Sequence, residues 1–473
     1  MEEMSTDAKV RLQLGVWNEL GGPSGTIEDF VELRSSRTAR SISSNVAETT
    51  GNVELDLSSG KAAGLLGSSF DHLLIHIVCP GIEGRRDGFW CKVRLGEEYA
   101  REAYYESDRR SHNFLVPISL LASNEARTLT VSATLNHEDE GPPVDFALNI
   151  QVAACRQQSL FSSIARSSVF VFSTARSGST WLGSEILCWG KGARVVDEPG
   201  YGMLFAPLQW DAERYFDLAE CNYYIRSGLA YETGLKPRSL PREIAVFDRA
   251  NAELQGPSGL FNIAYQQHFR RMVRSAILEH AIDVWGVSGY RRLVFKMPNE
   301  SHAADFIAAA LPEARIIHLV RDGRDVLSSR FGSFGSEILS ATKNEALRKY
   351  AVSFFSHFWN FQNDIISDAC SAHAPERAMF IRYEDLRQDL RSSVFKLYEW
   401  IGASLTDQQI ETLVKDVSLE NAPRDEVGYG KRRGDGTVGR FNAIFSGEEI
   451  KLMNKIMGPS LTRYGYSVQD ENA

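Results

Sequence analysis

SSVFVFSTARSGSTWL (residues 167–182) is the stretch whose reading decides the fold. Its first part, SSVFVFSTA (167–175), is a continuous apolar run between small residues. That is the pattern of a strand buried on both faces of a parallel sheet. The second part, STARSGSTWL (173–182), opens a helix directly after that strand. Backbone N–H groups at a helix N-terminus form an anion site, and small residues let a phosphate approach the chain closely. Arg176, Ser177, Gly178, Ser179 and Thr180 supply one positive charge, a bare backbone and three hydroxyls. A Ser/Gly turn before a helix is also ordinary capping; its place behind a buried strand favours the nucleotide reading. The pattern GxxxxGK[ST] is absent, which disfavours an ordinary nucleoside triphosphatase.

The same alternation continues outward. RVVDEPG (194–200), LVFKMP (293–298), ARIIHLVR (314–321) and RAMFIRYEDL (377–386) read as further strands. SHAADFIAAALP (301–312) and EALRKYAVSFFSHFWNFQNDII (345–366) read as helices between them. Strands alternating with helices predict an α/β domain over residues 157–473, a P-loop-like, mainly parallel sheet flanked by helices. Residues 201–290 exceed a simple crossover, and their Tyr, Phe and Arg content predicts a largely helical insertion over an acceptor site.

Upstream, residues 1–156 follow another pattern. VRLQLGVW (10–17), NVELDL (52–57), DHLLIHIVC (71–79), FWCKVRL (89–95), FLVPISLL (114–121), TLTVSATL (128–135) and VDFALNIQVA (144–153) are short apolar or alternating runs. Turn-formers such as GGPSG and NHEDEGPP separate them, which predicts an antiparallel, β-sandwich-like accessory domain. It carries no catalytic motif, and its role is structural or a surface for a glycan or partner. CRQQSLFSSIARSS (155–168) reads as the linker.

A formal net charge of −9 gives no bulk attraction to nucleic acid or an anionic membrane, so a bound anion must be held by local basic groups. Such a group is offered by HLVRDGRDVLSSRF (318–331), where a buried strand again runs into a helix. Arg321 at the strand end and Ser329 on the helix can aim a guanidinium and a hydroxyl at one phosphate. Alternatively, Arg321, Asp322, Arg324 and Asp325 form surface ion pairs, which contribute little. Six scattered cysteines without ligand spacing imply free thiols and no metal site, although Cys79 and Cys91 are close enough in sequence to pair. The N-terminal residues lack a basic segment followed by an apolar run, and no stretch is long and apolar enough to span a bilayer. The sequence thus reads as a cytoplasmic protein without a transmembrane segment or nucleic-acid partner.

With these residues in view, the chain resembles the sulfotransferases that use 3′-phosphoadenosine-5′-phosphosulfate (PAPS). STARSGSTWL is similar to the family's 5′-phosphosulfate loop and RDGRDVLSS to its 3′-phosphate motif. IRYEDL (381–386) resembles a further family segment, and GKRRGDGTVGRF (430–441) the basic, glycine-containing loop near the family's C-terminus. The resemblance covers residues 166–473. It implies that residues 176–181 wrap the 5′-phosphosulfate, with Trp181 near the adenine or simply buried in its helix. It also implies that Arg321 and Ser329 hold the 3′-phosphate together with the segment of Arg432, Arg433 and Gly434. Lys296 matches a family lysine that reaches the transferring group, and Arg176 is suited to the charge on the leaving oxygen.

The cytosolic small-molecule branch places a histidine two residues after this lysine. Here that position is Pro298, and the nearest histidine, His302, lies in the next helix. Glu198 stands where the carbohydrate and tyrosylprotein branches place an acidic residue, so the resemblance is closer to them. It can act as base if burial raises its proton affinity; a salt-bridged or capping carboxylate is the other reading, and Asp197 the substitute. His318, inside an apolar strand, reads as a core residue. The implied acceptor is a hydroxyl on a glycan, glycolipid or glycosylated metabolite. The alternatives are a P-loop kinase-like phosphotransferase and a catalytically inactive nucleotide- or glycan-binding protein.

Overall fold

The structure, a computed structural model, describes residues 31–41, 48–56, 71–78, 89–95, 99–105, 111–122, 128–136, 145–190, 193–201, 259–285, 292–298, 300–331, 345–418 and 436–468. Contacts divide the chain into two units, Met1–Arg166 with Ser275–Arg291, and Ser167–Arg274 with Arg292–Ala473.

The second unit is built on five parallel strands in the order β10–β11–β9–β12–β13. These are β9 (Ser168–Ser173), β10 (Ala193–Asp197), β11 (Arg292–Pro298), β12 (Arg315–Val320) and β13 (Ala378–Arg382). The quoted apolar run forms the central strand, every residue of which is buried. Phe170 of β9 stacks on Phe295 of β11 with ring centroids 4.5 Å apart. From β9 the chain moves outward to β10, returns through β11, and then crosses to β12 on the other side of β9. Open α/β sheets bind ligands at such a reversal, outside the carboxyl ends of the strands. STARSGSTWL, RVVDEPG, LVFKMP, RDGRDVLSS and IRYEDL each lie at one of those ends, whereas GKRRGDGTVGRF comes after the helix Asp407–Val417.

Helices cover the sheet where the sequence places them, with some differences. Gly323–Phe331 follows β12, and Glu345–His373 runs seven residues beyond the predicted end. Gly323 sits where two side chains press on the helix: a Cβ there would lie 2.5 Å from Met457 Sδ and 2.8 Å from the Trp359 ring. RAMFIRYEDL divides into β13 and the helix Tyr383–Gln388. Of the predicted insertion, the helix Gly259–Trp285 is described, and residues 202–258 lie outside the described residues.

The first unit contains two antiparallel four-stranded sheets, β1–β8–β3–β6 and β2–β7–β4–β5. Here β1 is Val31–Ser41, β2 Glu48–Asp56, β3 His72–Val78, β4 Phe89–Leu95, β5 Tyr99–Tyr105, β6 Ser111–Pro117, β7 Thr128–Asn136 and β8 Asp145–Cys155. The sequence reading missed β1 (VELRSSRTARS) and β5 (YAREAYY), whose charged and small residues hide them from a search for apolar runs. VRLQLGVW lies outside the described residues.

The predicted linker is also corrected. Gln157–Ser167 is a helix with Leu160, Phe161, Ile164 and Ala165 buried. Those residues form two i, i+4 pairs on one face, a period that the intervening Gln and Ser obscure. Cys91, Cys155, Cys188 and Cys370 are free thiols, whereas Cys79 and Cys221 lie outside the described residues. Among the described residues no helix is long and apolar enough to cross a membrane, and no group of His, Cys, Asp and Glu could hold a metal ion.

Candidate active site

The loop after β9 turns sharply at two residues. Arg176 has φ 74° and Gly178 φ 92°. A side chain at Gly178 would be strained by that φ, and its Cβ would also lie 2.5 Å from the Tyr383 ring. Thr174 Oγ1 and Ser177 Oγ share a hydrogen bond of 2.6 Å across the turn. The chain then enters a π-helical turn, Trp181–Ile186, closed by Leu187 N–H donating to Leu182 O at 2.9 Å. Such widened turns are rare and recur at functional sites.

Two motifs that are distant in sequence meet here. Arg176 Nε donates to Ser329 Oγ at 3.0 Å. Arg321 donates through Nη1 to Arg176 O at 3.2 Å and through Nη2 to Thr437 O at 3.0 Å. Its guanidinium lies 4.6 Å from the centre of the Tyr383 ring, and its Nε is buried with no hydrogen-bond partner among the described residues. Burial, followed by the charge of neighbouring Arg321, holds the Arg176 guanidinium below its usual range. Arg330, one residue past Ser329, is pushed down to about 10, mainly by burial and then by Arg176. Three guanidiniums thus lie close enough to oppose one another, a field suited to an anion.

The residues around Arg321 are not surface ion pairs. Arg321 and Asp322 are each 7% exposed, Arg324 6% and Asp325 0%. Asp325 accepts the N–H groups of Gly439 at 2.7 Å and Phe441 at 3.1 Å, fixing the end of the glycine-containing loop. Burial nonetheless raises the proton affinity of that carboxylate. Arg324 donates to both oxygens of Asp322, at 3.0 and 2.7 Å, and to Ser467 O at 3.0 Å. Glu384 accepts Asp322 N–H at 3.0 Å and the Tyr466 hydroxyl at 2.7 Å. Arg432, Arg433 and Gly434 lie outside the described residues, but Tyr383 OH donates to Gly436 O just beyond them, at 3.3 Å.

A second cluster forms at the ends of β10 and β11. Lys296, 4% exposed, places Nζ 2.5 Å from Asp197 Oδ1, 3.3 Å from Thr180 Oγ1 and 3.4 Å from Glu198 Oε1. Glu198 is not the buried carboxylate its expected role called for, because its side chain is 56% exposed. Trp181 belongs to the core beneath the loop: it is 5% exposed, and its indole N–H donates to Val417 O at 2.7 Å. His318 is buried and bonded to Asn363 Oδ1 at 3.0 Å; burial pushes it down to about 4. That is the core role read from the sequence. Tyr383, Asp325 and Glu384 were missed as parts of the site. Two of them lie in the quoted IRYEDL, but their partners are distant in sequence.

The chain matches the sulfotransferase family over residues 168–407, half its length. It belongs to that family. The match contains β9 to β13 and both clusters, while the segment held by Asp325 lies beyond it. Among curated sulfotransferases, the amine sulfotransferase of Oryctolagus cuniculus is 25% identical over 23% of this chain and 36% of its own. Cytosolic sulfotransferase 14 of Arabidopsis thaliana is 25% identical over 34% of this chain and 49% of its own. The chain therefore matches less than half the length of either relative. Among solved structures, a mouse sulfotransferase complexed with PAP aligns with 65% of this chain and 94% of its own, at 14% identity and a TM-score of 0.32.

Proposed function

We propose that the protein transfers the sulfuryl group of PAPS to an acceptor hydroxyl and releases 3′,5′-adenosine bisphosphate. The observation that carries this reading is the hydrogen bond from Arg176 Nε to Ser329 Oγ at 3.0 Å, which joins the loop after β9 to the helix after β12. A donor with phosphates at both ends of its ribose needs both motifs at one site. The residues suit such a group: the partnerless Arg321 Nε can take a phosphate oxygen, and Gly178 offers bare backbone.

In this proposal residues 176–180 wrap the 5′-phosphosulfate, with Trp181 packing the loop from beneath. Arg321 and Ser329, with Arg432, Arg433 and Gly434, hold the 3′-phosphate. Glu198 takes the acceptor's proton as the new sulfur–oxygen bond forms and the bond to the 5′-phosphate breaks. Arg176 and Lys296 meet the charge left on that phosphate. No metal takes part.

A sugar hydroxyl on a glycan, glycolipid or glycosylated metabolite is the proposed acceptor. It is supported by Glu198 and by Pro298 where the cytosolic branch carries its histidine. The relative named for amines extends the acceptor panel to small amines. The proposed site of action is the cytoplasm.

The test is a calorimetric titration of the full chain with 3′,5′-adenosine bisphosphate and with AMP, beside incubation with labelled PAPS and ATP. Charge-assisted hydrogen bonds to the 3′-phosphate give the bisphosphate about a hundredfold tighter binding. Equal affinity for the two nucleotides would remove the PAPS assignment; transfer from ATP alone would replace it with a kinase.

A further inference from the structure

Asp197 and Lys296 are Cα partners on the adjacent parallel strands β10 and β11. Side chains at paired positions share a face of the sheet, and the Asp197 carboxylate lies 2.5 Å from the buried ammonium. In a continuing strand the next residue would project to the opposite face. Glu198 does not, because the chain leaves β10 there with φ 46°, in the left-handed region. The following Pro199 disfavours a right-handed helical turn at that position, and Glu198 N–H is secured to Lys296 O at 2.9 Å. A non-glycine residue persists in this conformation only where its surroundings fix it, and such residues gather at functional sites. The consequence is that two consecutive carboxylates reach one lysine from the same side.

Their contacts differ although their exposure does not. Both side chains are 56% exposed, but Asp197 Oδ1 lies 2.5 Å from Nζ and Glu198 Oε1 3.4 Å. Thr180 Oγ1, from the loop after β9, faces the same ammonium at 3.3 Å.

We propose that Asp197 is the positioning residue for Lys296: it fixes the ammonium beside Thr180, so that the more loosely held Glu198 carboxylate is available to an acceptor proton. The catalytic consequence rests on the proposed sulfuryl transfer; the pairing is a property of the chain alone. Asp197 thereby acts through the lysine rather than on the reacting atoms, a different role from that of a substitute base.

Competitive labelling of lysines with acetic anhydride, read at the Lys296 peptide by mass spectrometry from neutral to alkaline pH, tests the pairing without any nucleotide. Removing the nearer negative charge disfavours the charged lysine, so Asp197→Asn moves the labelling midpoint to lower pH, further than Glu198→Gln does. Asp197→Glu restores most of the shift. No movement in Asp197→Asn, or a larger one in Glu198→Gln, overturns the proposal.

The catalytic arm measures PAPS consumption with the acceptor panel. Asp197→Asn lowers kcat about a hundredfold, as a misplaced catalytic group does. Its affinity for 3′,5′-adenosine bisphosphate stays within about threefold. An unchanged kcat, or a loss accompanied by lost bisphosphate binding that Asp197→Glu does not rescue, refutes the positioning role. Wild-type protein that labels as expected but neither binds the bisphosphate nor consumes PAPS would instead refute the proposed function and leave the pairing standing.

Discussion

Beyond β12, Arg321, Asp322, Arg324 and Asp325 are 7% exposed or less, whereas the side chains of Asp197 and Glu198 beyond β10 are 56% exposed. Both regions concentrate charge at the carboxyl ends of neighbouring strands, but they hold it differently. After β12 the charges are withdrawn from water, and hydrogen bonds to the loop and the C-terminal segment offset the desolvation. After β10 only the lysine is buried, and its two carboxylates remain in contact with solvent. A region that must present fixed donors to a phosphate gains from the first arrangement. A region that must release a proton after each turnover gains from the second. In the proposed function the division is between holding the donor and carrying out the transfer.

The sharpest way to break this comparison is Glu198→Gln. The amide keeps the shape but cannot take a proton, so turnover falls about a hundred- to ten-thousandfold while bisphosphate affinity is kept. Steady-state kinetics beside calorimetry measure both, and an active variant would move the proton acceptor elsewhere. Lys296→Ala follows, with kcat lowered about a hundredfold and little change in thermal stability. A loss expressed only in nucleotide affinity would place Lys296 with the binding half.

The next effect concerns the core beneath the binding half. His318 is pushed down to about 4, whereas an unfolded histidine titrates near 6.5. Between those values the unfolded chain binds the extra proton, so stability is lost as pH falls from 6.5 to 4 and levels off below. The loss is on the order of 3 kcal/mol. Urea midpoints of wild type and His318→Gln across that window measure it; identical pH dependence would show that His318 contributes nothing to acid sensitivity. The smallest effect is Ser329→Ala, which removes a neutral partner and weakens bisphosphate binding about three- to tenfold without affecting AMP. Equal losses for both nucleotides would make Ser329 a brace for Arg176 rather than a reader of the 3′-phosphate.

Legibility differed between regions for a physical reason. A strand buried on both faces is predominantly apolar, so SSVFVFSTA and ARIIHLVR declared themselves despite His318 within the second. β1 and β5, with arginines, glutamates and serines along their length, gave no such signal. The helix Gln157–Ser167 was mistaken for a linker because only one face of it is apolar and that face is two turns long. Among candidate site residues, Arg176, Lys296, Arg321 and Ser329 could be singled out from the sequence because each lies inside a short motif. Tyr383 was not, because its importance lies in touching Arg321, the Gly178 loop and Gly436 at once.

By itself the sequence determined the alternation of strand and helix, the small-residue turn after β9 and the basic strand end after β12, since each depends on residues within one turn or one strand. The tertiary structure alone decided which charges are buried and which carboxylates share a lysine. Arg176 and Ser329 are 153 positions apart, Arg321 and Thr437 116, and Lys296 and Glu198 98. What joins them is the order β10–β11–β9–β12, which sets each strand end beside its neighbour. Local periodicity states that a strand is buried but not which strand lies next to it. The left-handed turn at Glu198 has the same standing: Pro199 narrows the choice, and the hydrogen bond to Lys296 O fixes it.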